Sequence, residues 1–245
     1  KAGEFLHDAW RARNEYINII LDRTPESREK FFASEAKRQL SDAEKITVFK
    51  LMELQRHAML MYTSCGWFFD ELSGIETVQV IQYAARVIQL ANEIFGEDFE
   101  PSFLERLEKA KSNIPENADG RVIYQKFVKP AMIDWRRAAA HYAISSVFKE
   151  YEKVTRVFSF TFEDEHRESH VTGKTKLALG RVRMVSEITQ EMEVLSYGIL
   201  YMGEHNLIGG VCKFASPEAE AAAAREILEA YRSADFPQVI RLFGQ

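Results

Sequence analysis

The chain has 245 residues, 46% of them hydrophobic and 28% charged. It is long enough to bury roughly 70–75% of its unfolded surface, in about one and a half domains of ordinary size, and its composition excludes a disordered, collagen-like or charge-driven polypeptide. With 37 acids against 32 bases the net charge is -5, which argues against a dedicated nucleic-acid binder, and there is no run of eighteen apolar residues to span a membrane.

The chain starts Lys1-Ala2-Gly3 and stops at Phe243-Gly244-Gln245, directly after an apolar stretch. Without a Met or a signal segment, it reads as a fragment of a longer polypeptide. Cys65 and Cys212 lie far apart and fit neither a disulfide framework nor a metal knuckle, so a reducing, cytoplasmic setting is the default.

The first 150 residues read as helices. A helix is expected over 4–21. Thr24-Pro25-Glu26 supplies a cap and a first-turn proline for the next. Ser41 and Glu44 form a capping box that opens a central apolar helix, on which Val48, Leu51, Met52, Ala58, Met59 and Tyr62 follow helical spacing. Ser73 and Glu76 make a second box for a helix running to about Phe95, and Pro101 starts another to about Lys111. Pro130 divides or kinks the stretch 121–148.

After Lys153 the period becomes that of strands. Residues 157–162 alternate, with Phe158, Phe160 and Phe162 on one face, and runs over 174–188, 191–202 and 206–214 follow. Ser216-Pro217-Glu218 caps an Ala-rich helix, and 236–243 gives a last one. Strands grouped after helices predict an α+β fold. The expected architecture is a helical bundle over 1–150, then a four-stranded antiparallel meander with two C-terminal helices over 151–245, as two domains or one compact unit.

There is no phosphate-cradling glycine loop, nucleophile elbow, H-E-x-x-H or C-x-x-C. The main candidate site is the exit of the central helix, where Ser64-Cys65-Gly66-Trp67-Phe68-Phe69-Asp70-Glu71 concentrates aromatics and acids. Aromatic faces suit the apolar faces of sugar rings, and Ser64, Asp70, Glu71, Arg56 and His57 offer hydrogen bonds to hydroxyls. The alternative is that the aromatics staple the helix end into the core, with Asp70 and Glu71 facing the next helix N-terminus. Arg56 and His57 are either exposed or paired with Glu53, three and four residues earlier.

Residues 163–170 carry acids around His166 and His170. A strand holds these histidines about 13 Å apart, too far for one ion, so a solvated hairpin end is expected and no metal or cofactor. Trp135-Arg136-Arg137 with His141 and Tyr142 offers an anion site or a solvated helix face. Trp10-Arg11-Ala12-Arg13 anchors the first helix or lines a cleft.

The stretch LMELQRHAMLMYTSCGWFFDELSGIETVQVIQYAARVIQLA, with DAWRARNEYINIILDR, SNIPENADGRVIYQKFVKPAMID and LALGRVRMVSEIT, resembles the domain of unknown function found C-terminal to glycoside hydrolase family 57-like catalytic domains. The resemblance implies an accessory domain that closes one side of an α-glucan cleft. Its partners are the preceding catalytic barrel, which carries the glutamate nucleophile and aspartate acid/base, and an α-glucan or oligosaccharide. Ser64-Cys65-Gly66-Trp67 is similar to a family motif reading Ser-Ser-Asp-Trp, making Trp67 a sugar-contacting wall residue with Ser64 and Phe68 beside it. Gly66 replaces the motif's Asp, so any polar contact there is lost or passes to Asp70 or Glu71. Retaining cleavage needs two carboxyl groups about 5–5.5 Å apart. The resemblance assigns both to the barrel, so this chain is expected to be inactive alone. The other expectation is a structural domain that stabilises the barrel and touches no substrate.

Overall fold

A computed structural model describes residues 1–244. The chain divides into two compact units, Lys1–Met132 and Ile133–Gln245.

The first unit is helical: α1 (Ala2–Phe5), α2 (Ala9–Leu21), α3 (Pro25–Glu35), α4 (Asp42–Leu60), α5 (Cys65–Phe68), α6 (Ile75–Phe95), α7 (Glu100–Leu107) and α8 (Gly120–Ile123), followed by a π turn at Tyr124–Val128 and a 3-10 turn at Lys129–Ala131. The helix expected over 4–21 is broken at Leu6–Asp8, because the Asp8 carboxylate caps a new start by accepting from the N–H groups of Trp10 and Arg11. The Ser41–Glu44 box forms in full and opens α4. The Ser73–Glu76 box does not form. Gly74 is the N-cap of α6 with no side-chain bond, and the Ser73 hydroxyl donates to Glu71 instead, at 2.8 Å.

The core of this unit has two clusters. Val48, Phe49 and Met52 of α4 meet Tyr16, Ile19, Phe31, Leu90 and Ile94 in the first. Ile81 and Ala85 of α6 meet Leu104, Ile123 and Val128 in the second. Burial of such side chains contributes about 1.5–3 kcal/mol each, and α6 carries one end in each cluster. The expected apolar face of α4 continues only part-way: Met59 and Tyr62 are exposed, since the chain there has passed beyond the packed face.

In the second unit α9 (Trp135–Ser146) precedes a five-stranded antiparallel sheet of order β1 (Val154–Val157), β2 (Phe160–Thr172), β3 (Thr175–Ser186), β4 (Met192–Tyr201) and β5 (Leu207–Lys213), then α10 (Pro217–Arg232) and α11 (Phe236–Leu242). Five strands replace the four expected, because the run 157–162 is split by a two-residue hairpin loop. Val157 pairs with Phe160, and Phe158 takes a positive φ of 56°. Phe158 therefore leaves the row of Phe160 and Phe162 and is exposed.

The central strands are covered on both faces, so consecutive residues are buried at 177–180 of β3 and 197–200 of β4. Ala178, Val182, Met184, Leu195 and Ile199 pack on Ala138, Ala139, Tyr142 and Ala143 of α9. Leu177, Leu179 and Leu200 pack on Ile227, Tyr231 and Val239 of α10 and α11. Helix α9 thus belongs with the sheet, and the division falls at Met132 rather than at residue 150. Among the described residues no helix is long and apolar enough to cross a membrane.

Candidate functional site

The aromatic segment is built at the end of α4. Turns from Tyr62 N–H to Met59 O (3.1 Å) and Thr63 N–H to Leu60 O (3.2 Å) reverse the chain into α5, which is a single turn long. Two contacts hold α5 on α6. Gly66 lies against Val80, where a Cβ would stand 2.9 Å from Val80 Cγ2, and the Thr77 hydroxyl donates to Gly66 O at 3.2 Å. Gly66 is therefore a packing residue, and the aspartate of the resembling motif has no room there. Trp67 and Phe68 project outward instead, 63% and 77% exposed. Phe68 meets Phe69 edge to face, with ring centroids 5.1 Å apart. The aromatics do not staple the helix into the core.

The acids that follow have different fates. Glu71 accepts from the Ser112 hydroxyl (2.7 Å), the Ser73 N–H (2.8 Å) and the Asn113 N–H (2.8 Å). These bonds, that from Ser112 first, pull its pKa down to about 2. It is a latch tying the segment after α5 to the loop after α7. Asp70 is exposed, and its backbone carbonyl accepts from the Asn113 side-chain amide. Ser64 is exposed and caps nothing. Sequence reading missed Ser112 and Asn113, because only the fold brings a loop 41 residues away to Glu71.

Arg56 and His57 serve another centre. Glu53, 1% exposed, accepts from Tyr16 Oη (2.7 Å), Arg23 Nη2 (3.0 Å) and Arg56 Nη1 (3.2 Å). His57 Nδ1 lies 2.8 Å from Glu53 O. Burial pushes the Glu53 carboxyl up, but the bonds from Tyr16 and Arg23 and the Arg56 charge outweigh it and hold the pKa below the usual range. Burial also lowers the pKa of His57. Both residues contact Glu53, Arg56 through its guanidinium and His57 through its ring.

Comparison with known families now bears on this geometry. The family model described as a domain of unknown function (DUF3536) matches residues 1–245. The chain belongs to this family. No curated protein and no solved structure matches the chain.

The remaining candidates of this DUF3536 chain lie in the second unit or at the start of the first. Residues 163–170 do not end a hairpin; they lie inside β2, which runs on to Thr172 with a bulge between Asp164 and His166. Their charges are paired across the sheet, Glu165 with Arg181 (3.0 Å) and Arg183 (2.6 Å). Glu168 lies between the two histidines, 3.0 Å from His166 and 3.4 Å from His170, and the contact with His166 leads in lowering its pKa. Among the described residues no three His, Cys, Asp or Glu side chains are placed to hold a metal ion.

Trp10 is exposed with Arg13 stacked on it at 4.9 Å, while Arg11 pairs with buried Glu35 at 3.0 Å. His141 packs on Phe158 at 5.1 Å, and Tyr142 lies in the core, stacked on Phe162. Burial leads in pushing the Tyr142 phenol up to about 12. Arg136 and Arg137 border a pocket that also takes residues from β4 and β5. The paired glycines Gly209 and Gly210 inside a strand run were its sequence signal.

Proposed function

We propose that this domain forms one wall of an α-glucan-binding cleft in a protein whose preceding part is a glycoside hydrolase family 57-like catalytic barrel, with Trp67 and Phe68 as stacking surfaces for sugar rings. The observation that carries this reading is the outward display of Trp67 and Phe68 on a single helical turn fixed to α6. A preformed aromatic surface binds rings with little ordering cost. Ser64 and Asp70, both exposed beside it, supply hydroxyl contacts. Catalysis is left to the barrel: Glu71, held ionised by four hydrogen bonds, is unsuited to proton transfer at neutral pH. The free thiols of Cys65 and Cys212 fit a reducing, cytoplasmic setting.

A second reading is a domain that only stabilises the barrel. It is favoured by the further apolar exposure at Met59, Tyr62, Phe69 and Ile75, which exceeds what scattered surface residues need. One experiment separates the two. In the full-length protein, Trp67 reactivity toward N-bromosuccinimide is measured with and without maltoheptaose, against a Trp67→Phe control. Protection only when the oligosaccharide is added supports the cleft. Protection without it supports burial against the barrel, and no protection in either state sinks both.

A further inference from the structure

A pocket of about 270 Å³ lies between α9 and the β4–β5 side of the sheet, within the second unit. Arg136 and Arg137 come from the first turn of α9, and Ala140 and Ile144 from the turns that follow. Ile199 and Val211 complete an apolar wall. Arg136 is exposed and forms no ion pair among the described residues, and no acid lines the pocket. The floor is bare backbone at Gly209, where any side chain would strike Ile199 and would stand 2.6 Å from Gly198 O. The volume is at the small end for ligand sites.

The pocket also opens on a sheet edge. Strand β5 is last in the order. The bonds from Phe214 N–H to Val194 O and from Met202 N–H to Asn206 O set the phase of its ladder with β4. By the alternation of antiparallel pairs, Ile208, Gly210 and Cys212 bond β4, while the N–H and C=O groups of Gly209 and Val211 point away from it.

We propose that this pocket binds a carboxylate carried on an apolar group about the size of a leucine or phenylalanine side chain. The Arg136 guanidinium fork matches a planar carboxylate, and Ala140, Ile144, Ile199 and Val211 take the apolar body. A bare inorganic anion would leave that wall unused. A free small acid and the C-terminal residue of a peptide share this chemistry; the peptide could also pair with the outward groups of Gly209 and Val211. The site is in the second unit and does not depend on the role of Trp67.

The test is an amide NMR titration of the 245-residue chain with 3-phenylpropanoate, 3-phenylpropanamide, and acetyl-Leu-Val-Phe as free acid and as C-terminal amide. The acids are expected to shift the Ile144, Gly209 and Val211 signals and to bind at least about tenfold tighter than the amides, as charge-assisted bonds require. Arg136→Ala should weaken binding of the acids, with Arg136→Lys recovering part of it; the position is exposed, so both variants fold. Tighter binding of the peptide acid with slowed exchange at Gly209 and Val211 assigns the site to a peptide end, and equal binding assigns it to a free acid. The proposal is overturned if neither acid shifts these signals, if the amides bind as well as the acids, or if Arg136→Ala changes nothing.

Discussion

Gly66 lies directly against the side chain of Val80, with Val80 Cγ2 2.9 Å from where a Cβ would stand. This contact sets how closely α5 approaches α6 and hence where Trp67 and Phe68 point. Gly66→Ala is expected to lower stability by about 1–3 kcal/mol through overpacking, and Gly66→Asp by more, since it also brings a charge against an apolar side chain. Val80→Ala should relieve much of the Gly66→Ala penalty. Urea unfolding of the two single variants and the double variant measures this; strict additivity would show that the contact does not govern the packing of α5.

Trp67→Ala and Phe68→Ala behave in the opposite way. Both side chains are mostly exposed, so each substitution should change unfolding free energy by no more than about 0.5 kcal/mol. In the full-length protein, each should weaken maltoheptaose binding by about tenfold, the equivalent of about 1.4 kcal/mol. Calorimetric titration beside thermal unfolding reads both quantities. A large stability loss with unchanged binding would make the segment structural.

The latch at Glu71 predicts an acid-dependent stability. Its pKa is lowered from 4.5 to about 2 in the folded chain, so the folded state favours the ionised form. Its contribution is therefore complete above about pH 4.5 and is lost as pH falls toward 2. Glu71→Gln should reduce stability at pH 7 and flatten the loss between pH 4.5 and 2. Glu44, also held at about 2 chiefly by Arg38, titrates in the same window. The difference between wild type and Glu71→Gln isolates the latch, and parallel pH profiles would refute it.

Local signals made the fold class and many element starts legible. Thr24 with Pro25, Ser41 with Glu44, and Ser216 with Pro217 each mark an observed helix start. What was hidden depends on distant partners. Glu71 takes the hydroxyl that would have capped α6. Phe158 adopts a turn conformation its residue type disfavours. The charges of β2 look like loop until Arg181 and Arg183 neutralise Glu165 from the next strand. The candidate site was legible as an aromatic segment, but its division into exposed rings and a locked carboxylate was not, because Ser112, Asn113 and Val80 decide it.

The Glu53 centre gives the last prediction. Removing its carboxylate by Glu53→Ala leaves Tyr16, Arg23 and Arg56 without their shared acceptor. That should cost about 3 kcal/mol, at the low end for a broken buried pair because both arginines keep partial solvent contact. Glu53→Gln retains the shape and one acceptor oxygen and should cost less. His57 adds a pH dependence of definite sign. Burial lowers its folded pKa below the ordinary 6.5, so as pH falls through 6.5 the unfolded chain takes up the proton first and stability declines. The decline ends once pH passes below the folded value. His57→Gln removes this component, so wild type should lose more stability than the variant between pH 7.5 and 5.5 in urea unfolding. An equal loss would mean that His57 titrates alike in both states and that its packing beside Glu53 does not restrict protonation.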